Sequence, residues 1–376
     1  MHSSRELSGV KMIVIGAGSV GSVLAYRLSQ SGANVTLIDR TFPGGGTSGN
    51  SFAWVNGFAK TPREYYMLSM RSIRAHEDLQ NELNGRWFTQ SGAWHWEDAA
   101  GTAGYSSNLS ETLRTLRSWG GRVEPHTVSE IKGLEPSLAL SDVARDEVYL
   151  LRDEGWVQVV PMIESVLAAG VACGLDLVRG EVSGLSGANG GVDSVVLSSG
   201  EVIDADLVFV CAGPASNDVA SLVGRKLRLE LTRGAFAVTC PVPSQLRRVV
   251  ISPDVIVRPD GGGRLICGSE ATLVIDPTPS VDPSSALIES LHDKLADLIP
   301  NVRAAPFEAF RLGTRVVPFD GLPIVGPDNN VPGLYYVVTH SGITLSAGLA
   351  DLVVEDLAVS GSERLQAYRP DRALAS

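Results

Sequence analysis

The chain has 376 residues, of which 44% are hydrophobic and 19% are charged, and its formal net charge is −11. This length leaves room for two domains of ordinary size, and the composition excludes a largely disordered protein. The negative charge disfavours binding to nucleic acid or to an anionic membrane surface, so we expect neither partner.

The cysteines and the apolar runs exclude further classes of protein. Cys173, Cys211, Cys240 and Cys267 are far apart in the sequence, which predicts buried free thiols rather than a disulfide framework. We expect no metal site. No apolar run reaches the length of a membrane-spanning helix, and the N-terminal residues do not resemble a signal peptide. We therefore expect a cytoplasmic protein.

Residues 10–40 predict a strand, a glycine-rich turn, a helix and a second strand. The turn contains Gly16, Gly18 and Gly21 in a G-x-G-x-x-G pattern. In this pattern the first glycine allows a tight turn, the second lets a pyrophosphate approach the backbone, and the third lets the helix pack against the strand. The spacing therefore predicts dinucleotide binding.

Four residues complete the predicted dinucleotide site. Ser19 and Val20 open the helix, whose free N–H groups and positive dipole end attract phosphate. Asp39 ends the second strand, where a carboxylate accepts hydrogen bonds from ribose hydroxyls, and Arg40 follows it. The unit does not distinguish FAD from NAD.

The rest of the chain alternates between helical and extended segments. Helices are predicted from Arg63 to about Leu83, over 108–119, from Pro161 to about Gly170 or Gly174, over 284–298 and over 344–359. Strands are predicted over 87–97, within 176–210, within 228–270, over 310–317 and over 334–338. This order predicts an α/β fold, in which a Rossmann-type domain is assembled from separated pieces and carries an inserted, largely antiparallel second domain.

Four segments in order resemble the D-amino-acid oxidase and glycine/sarcosine oxidase family of FAD enzymes. They are the small-residue loop Gly46–Ser51, the strand and turn Leu207–Gly213, the run Gly313–Pro327, and Thr339–Thr344. The resemblance covers essentially the whole chain. It implies an FAD-binding domain formed by 1–85, 150–225 and 312–376, and a substrate-binding domain of β-sheet and helices formed by 86–149 and 226–311.

The resemblance also implies which residues contact FAD. Small residues suit the line where backbone meets a flat flavin, and a helix N-terminus stabilises the negative charge that reduced flavin gains at N1 and C2=O. Val182 matches the position whose backbone pairs with the adenine edge. The other implied contacts are Thr47, Ser48, Asn50, Ser51, Ala212, Gly213, Gly313, Ser341, Gly342, Ile343 and Thr344. Relatives that tether their flavin use a cysteine that 309–317 lacks here, so we expect FAD to be held non-covalently.

Arg315 is the predicted substrate residue, because the matching arginine in glycine-oxidase-like members grips the substrate carboxylate. A planar guanidinium offers a carboxylate two parallel donors and stays charged. Arg258 and Arg311 are weaker candidates for this role.

Other polar and aromatic residues are candidate pocket residues. His340 and Asn56 are candidates for contact with the flavin edge or the substrate, and Trp54 is a candidate for the pocket wall or the core. His95 is interpreted as an exposed or substrate-domain residue and not as a catalyst. Monomeric sarcosine oxidases have basic residues where this chain has Ala53 and Asn56, which disfavours sarcosine itself as substrate.

These observations predict oxidation of an amino acid or a related carboxylate-bearing amine, by hydride transfer to flavin N5, to an imine. Oxygen or another acceptor then reoxidises the flavin, and a homodimer is one candidate assembly. Three alternatives remain. A 2-hydroxy-acid oxidoreductase would need a base, for which His340 is the first candidate. The others are an NAD(P)-linked Rossmann dehydrogenase and a non-catalytic FAD-binding subunit.

Overall fold

The computed structural model describes residues 7–104, 108–141, 143–273, 285–359 and 361–374. Within these ranges the helices are α1 Ser19–Gln30, α2 Arg63–Glu82, α3 Leu109–Ser118, α4 Val128–Leu134, α5 Val159–Ala172, α6 Ser216–Ser221, α7 Glu270–Leu273, α8 Ser285–Leu298 and α9 Gly342–Val359. The helices predicted from the sequence are all present, although residue 284, where one of them was expected to begin, lies outside the described residues.

The strands of the described residues form four sheets. They are β1 Lys11–Ile15, β2 Asn34–Asp39, β3 Trp54–Val55, β4 Phe88–Thr89, β5 Ala93–His95, β6 Val123–His126, β7 Val148–Leu151, β8 Gly155–Val157, β9 Asp176–Arg179, β10 Val182–Ser186, β11 Ser194–Leu197, β12 Val202–Asp204, β13 Leu207–Val210, β14 Leu229–Thr239, β15 Val249–Ile251, β16 Ile256–Pro259, β17 Leu265–Gly268, β18 Phe307–Pro318, β19 Ile324–Pro327 and β20 Leu334–Val338.

The first sheet has six strands in the order β19-β20-β13-β1-β2-β9. All neighbours in it are parallel except β19, which runs antiparallel to β20 at the edge. Its strands come from widely separated parts of the chain, as the sequence predicts for a Rossmann-type sheet. The carboxyl ends of the parallel strands therefore meet at one edge, where ligands of open α/β sheets bind.

Alternation along β1 explains how this sheet is covered. Met12 and Val14 point into a core shared with α1, α2, α5 and α9. Ile13 and Ile15 point to the opposite face, where they pack against the three-stranded sheet β10-β11-β12. Because both faces are buried, the strand is apolar after the exposed Lys11, as parallel strands between two layers are.

The second large sheet has eight strands in the order β18-β14-β17-β16-β15-β5-β7-β6. It is antiparallel except where β15 runs parallel to β5. Its longest pair, β14 and β18, places Thr232 opposite Arg315 and Gly234 opposite Gly313. The sheet packs against α8 through Leu291 and Leu295. The predicted, largely antiparallel sheet is therefore present.

Two sequence expectations change in detail. The predicted strand over 87–97 is broken into β4 and β5, since Gly92 has a φ of +83° and its N–H donates to the carbonyl of Glu154 instead of continuing a ladder. The cysteines are free thiols, but only Cys211 and Cys267 are buried, and Cys173 is exposed. No helix in the described part of the chain is long and apolar enough to cross a membrane.

Candidate active site

The turn after β1 needs glycine for steric reasons. Gly16 has a φ of +107°, and a Cβ built on it would lie 2.6 Å from the carbonyl oxygen of Cys211. A Cβ on Gly21 would lie 1.9 Å from the carbonyl oxygen of Gly16. A Cβ on Gly18 would reach only a side chain, with the hydroxyl oxygen of Ser48 at 3.1 Å. Two glycines therefore shape the turn, and the third keeps its surface clear, which fits a bound pyrophosphate.

Asp39 ties the end of β2 to this turn. Its Oδ2 accepts the N–H of Ala17 at 2.8 Å, and its Oδ1 accepts the N–H of Thr41 at 2.8 Å. The hydroxyl of Thr41 also donates to Oδ1 at 2.9 Å. A carboxylate has about four acceptor positions, so these three hydrogen bonds still leave capacity for a ribose hydroxyl.

The predicted adenine-binding residue lies near the predicted ribose-binding residue. The N–H of Gly180 donates to the carbonyl of Asp39 at 2.9 Å, and Val182 follows two residues later at the start of β10. Arg40 is mostly exposed, and its guanidinium lies 4.0 Å from the carboxylate of Glu181. The structure thus brings these predicted cofactor residues to one end of the site.

The small-residue loop lies against β18. The hydroxyl of Thr47 donates to the carbonyl of Thr314. A Cβ built on Gly313 would lie 3.6 Å from both the Cβ of Asn50 and the Cγ2 of Thr47. These contacts fix the loop beside the strand segment that carries Arg315.

The same loop also reaches the glycine turn. The N–H of Ser19 donates to the hydroxyl oxygen of Ser48 at 3.0 Å, and the hydroxyl of Ser51 donates to the carbonyl of Ser48 at 3.1 Å. Ala212 borders the turn from β13, because its Cα lies 3.0 Å from the Cβ position of Gly16, and Gly213 follows it. The loop therefore bridges the predicted phosphate-binding turn and β18.

The N-terminus of α9 lies next to the N-terminus of α1. A Cβ on Gly342 would lie 3.4 Å from Cγ2 of Val20 and 3.7 Å from the hydroxyl oxygen of Ser19. His76 donates from Nε2 to the carbonyl of Ile343 at 2.7 Å. Burial lowers the pKa of His76 to about 4, so its imidazole is neutral at neutral pH. Because Gly342 lies beside Ser19 and Val20, the N-termini of α9 and α1 point into the same region.

Asn56 and Thr344 join α9 to the segment after the small-residue loop. The hydroxyl oxygen of Thr344 accepts the N–H of Asn56 at 3.3 Å, and the side-chain amide of Asn56 donates to the carbonyl of Trp54 at 3.3 Å. Asn56 is buried. Its hydrogen bonds connect the N-terminal turn of α9 to residues 54–56.

Two residues that the sequence analysis did not single out meet at Ser341. The ammonium of Lys60 donates to the hydroxyl oxygen of Ser341 at 2.7 Å, and the phenol of Tyr65 donates to the same oxygen at 3.0 Å. Burial lowers the pKa of Lys60 to about 8, and the charge of Glu154 opposes this shift. Lys60 is thus a partly desolvated cation at the start of α9.

His340 lies within the electrostatic influence of two cations, Lys60 and Arg315. Its side chain keeps exposed surface, yet desolvation by the surrounding protein lowers its pKa to about 4, and the positive charges of Lys60 and Arg315 act in the same direction. The imidazole is therefore neutral at neutral pH and a weak base. This weakens the 2-hydroxy-acid alternative, in which His340 was the first candidate base.

A buried carboxylate supports the segment that leads to Lys60. Glu154 accepts the indole N–H of Trp54 at 2.9 Å and the backbone N–H of Gly57 at 3.2 Å, and Nε2 of His95 lies 3.8 Å away. Burial raises the pKa of Glu154. His95 lies in the eight-stranded sheet, as expected, but it is buried and not exposed, because the rings of Trp54 and Phe58 pack against it.

The competing arginines are engaged in structural contacts. Arg258 is buried between the rings of Phe52 and Trp156, and it donates to the carboxylate of Asp260 at 3.1 Å. Arg311 forms an ion pair with the same carboxylate. Both guanidiniums thus stabilise the eight-stranded sheet through Asp260, whereas Arg315 lies on β18 beside the small-residue loop.

Comparisons with known proteins agree with this geometry. Residues 11–356 match the family model described as FAD dependent oxidoreductase. An uncharacterized oxidoreductase, YurR of Bacillus subtilis (strain 168), is 26% identical, with 96% of this chain and 99% of that protein covered. Glycine oxidase of Pseudomonas putida is 24% identical, with 90% of this chain and 88% of that protein covered. The solved structure of glycine oxidase from Geobacillus kaustophilus superposes with a TM-score of 0.84 at 20% identity, covering 97% of this chain and 100% of that one.

The fold and the glycine turn define a dinucleotide-binding protein with a Rossmann-type domain, and the family match identifies the dinucleotide as FAD. The chain belongs to the FAD-dependent oxidoreductase family. The described residues fit the cofactor, since two helix N-termini and a turn that side chains would fill lie beside a carboxylate suited to ribose.

Proposed function

We propose that this oxidoreductase oxidises an amino acid, or a related amine that bears a carboxylate, with FAD held non-covalently. When bound, FAD supplies a two-electron acceptor that takes a hydride at its N5 atom. The neutral amine loses that hydride from the carbon next to its nitrogen and becomes a protonated imine, which releases its proton to solvent or is hydrolysed by water. Two of the relatives named above are glycine oxidases, which supports an amino-acid substrate.

Each group of cofactor residues is assigned to one part of FAD. The glycine turn and the N-terminus of α1 receive the pyrophosphate, and Asp39 receives ribose hydroxyls. The backbone at Val182 pairs with adenine, with Arg40 at the solvent edge. The segments facing the flavin are Thr47–Ser51, Ala212–Gly213, Gly313 and Ser341–Thr344. The N-terminus of α9 supports negative charge on the reduced ring.

Arg315 orients the substrate by its carboxylate. The observation that carries this proposal is that β18 places Arg315 next to the small-residue loop, which also contacts the N-terminus of α1. His340, with a pKa of about 4, takes no proton from an amine at neutral pH. The reaction needs no strong base when the neutral amine binds, since the nitrogen lone pair assists the departure of hydride. We assign Asn56 and His340 as pocket contacts.

We assign 1–85, 150–225 and 312–376 to the FAD-binding domain, and 86–149 and 226–311 to the substrate-binding domain. The six-stranded and eight-stranded sheets support this division. We also propose that oxygen or another acceptor reoxidises the flavin. The protein is proposed to be a cytoplasmic homodimer.

An anaerobic screen tests the proposed reaction. Purified holoprotein is mixed without oxygen with D- and L-amino acids, N-methyl amino acids and 2-hydroxy acids, and loss of the visible flavin absorption is recorded. We expect bleaching by at least one amine that carries a carboxylate and none by its hydroxy analogue. Bleaching by hydroxy acids alone would favour the 2-hydroxy-acid alternative and contradict the proposal.

Variants at Arg315 test its role with the substrate found in that screen. Arg315→Met is expected to raise KM at least about tenfold, because a charged hydrogen-bonded pair is worth about 1.5–3 kcal/mol. Arg315→Lys restores part of that loss, since it keeps the charge but not the bidentate geometry. Arg303→Met, which removes a guanidinium that is 62% exposed, serves as the control. An unchanged KM in Arg315→Met would contradict the assignment.

A further inference from the structure

Lys60 is partly buried, and its ammonium has few polar partners among the described residues. Its ammonium donates to the neutral hydroxyl of Ser341 at 2.7 Å and lies 5.5 Å from the ring centre of Tyr65. Within the described ranges no carboxylate oxygen lies within 4.0 Å of its Nζ. An ammonium has three donors, so Lys60 keeps donor capacity for an acceptor that enters the site.

Glu154 does not supply that acceptor. Both of its oxygens accept N–H groups, from Trp54 and from Gly57, and it lies beyond ion-pair distance from Lys60. These hydrogen bonds occupy both carboxylate oxygens and fix the position of residues 54–57. The charge of Glu154 thus partly offsets the lowering of the Lys60 pKa, but Glu154 forms no ion pair with Lys60.

Lys60 and Arg315 act on the same neighbour from different parts of the fold. Lys60 contacts Ser341, the residue after His340, whereas Arg315 follows Thr314, whose carbonyl accepts the hydroxyl of Thr47 in the small-residue loop. That loop and the N-terminus of α9 both contact Ser19, so the two cations belong to one region, and both disfavour the protonated form of His340. One cation suffices for a single substrate carboxylate. A second cation beside it raises the local positive potential, which favours a ligand with a second negative charge.

We propose that Lys60 and Arg315 together form a two-cation substrate site for an amine that bears two carboxylates, with Lys60 receiving the second carboxylate. This inference rests on the proposed function, in which Arg315 receives the first one. Ala53 and Asn56, which the sequence comparison considered after the small-residue loop, carry no charge. Lys60 provides a cation four residues further along.

Two matched pairs of small molecules test the inference on the wild-type holoprotein. Sarcosine and iminodiacetate differ only by the second carboxylate, and we expect iminodiacetate to be oxidised with a kcat/KM higher by about ten- to a hundredfold. Methoxyacetate and diglycolate are the corresponding ethers, which have no amine to oxidise. We expect diglycolate to bind more tightly by a similar factor, measured as perturbation of the visible flavin absorption.

Variants at Lys60 identify the residue responsible. Lys60→Met removes the charge at similar size and is expected to abolish the preference in both pairs, while the binding of methoxyacetate stays nearly constant. Lys60→Arg keeps the charge and is expected to keep most of the preference. Lys132→Met removes an exposed lysine on α4 and should leave both ratios at the wild-type value.

Equal values within both wild-type pairs would overturn the inference, as would a preference that survives in Lys60→Met. If Lys60→Met fails to fold, the wild-type pairs and Lys60→Arg still decide the question. Bleaching by amines without any preference contradicts only the two-cation site. Absence of bleaching by every amine contradicts the proposed function, and the ether pair then still tests whether the site prefers a second carboxylate.

Discussion

Alanine substitutions at three glycines separate folding stability from FAD affinity. In Gly21→Ala the new Cβ would lie 1.9 Å from the carbonyl oxygen of Gly16, about 1.5 Å closer than the 3.4 Å at which ordinary contact begins. Neither atom belongs to a flexible side chain, so the start of α1 must move away from β1. Overpacking of this kind costs about 3 kcal/mol, and the displaced helix N-terminus weakens FAD binding by about a hundredfold.

Gly18→Ala and Gly46→Ala are the matched comparisons. At Gly18 the nearest atom is the Ser48 hydroxyl at 3.1 Å, which can rotate away, so we expect a stability loss below about 1 kcal/mol. FAD affinity still falls at least about tenfold, since the Cβ occupies the surface assigned to the pyrophosphate. At Gly46 a Cβ meets nothing within 4 Å, and both quantities should stay near wild type.

Urea unfolding of the protein stripped of FAD measures the stability change, and quenching of FAD fluorescence measures affinity. The expected order is a loss of both quantities in Gly21→Ala, of affinity alone in Gly18→Ala, and of neither in Gly46→Ala. Wild-type FAD affinity in Gly21→Ala and Gly18→Ala would refute the assignment of this turn to the cofactor.

Three further predictions concern the cofactor site and its support. Asp39→Ala removes the acceptor of the Ala17 N–H and is expected to weaken FAD binding by about tenfold or more, measured by the same fluorescence titration. Denaturation of wild-type protein should release all flavin into solution, because 309–317 contains no cysteine; flavin that stays with the precipitate would contradict non-covalent binding. His76 has its pKa lowered from 6.5 to about 4, so the unfolded state takes up its proton first as pH falls. Its contribution, about 3 kcal/mol, is present above pH 6.5 and is lost as pH falls towards 4; His76→Gln should flatten urea-derived stability over that interval, and an unchanged slope would contradict it.

The sequence was sufficient where the chemistry is local. The glycine turn is a contiguous segment in which each residue type answers to a nearby steric demand, and the structure shows that demand at Gly16 and Gly21. The apolar runs of β1 and β13 likewise predicted strands, and the structure shows both strands buried between two layers. The overall α/β organisation therefore follows from short-range patterns and their order.

The residues that the sequence interpretation missed depend on contacts between distant segments. Lys60 lies in a polar stretch that looks like an exposed loop, and only its contact with Ser341 marks it as a site residue. Glu154 lies in an Asp-Glu-Gly turn, and its burial follows from Trp54 and from the neighbouring sheet. His95 was interpreted as an exposed or substrate-domain residue, since alternation along a strand does not reveal whether the second face is also covered.

The most direct test of the account is the visible absorption spectrum of the purified protein, recorded before and after anaerobic addition of a carboxylate-bearing amine. The account predicts a flavin band at the start and its loss with the amine, whereas the hydroxy acid of the same carbon skeleton leaves the band unchanged. A colourless protein that cannot be reconstituted with FAD, or a flavin band that no amine reduces, would contradict the account.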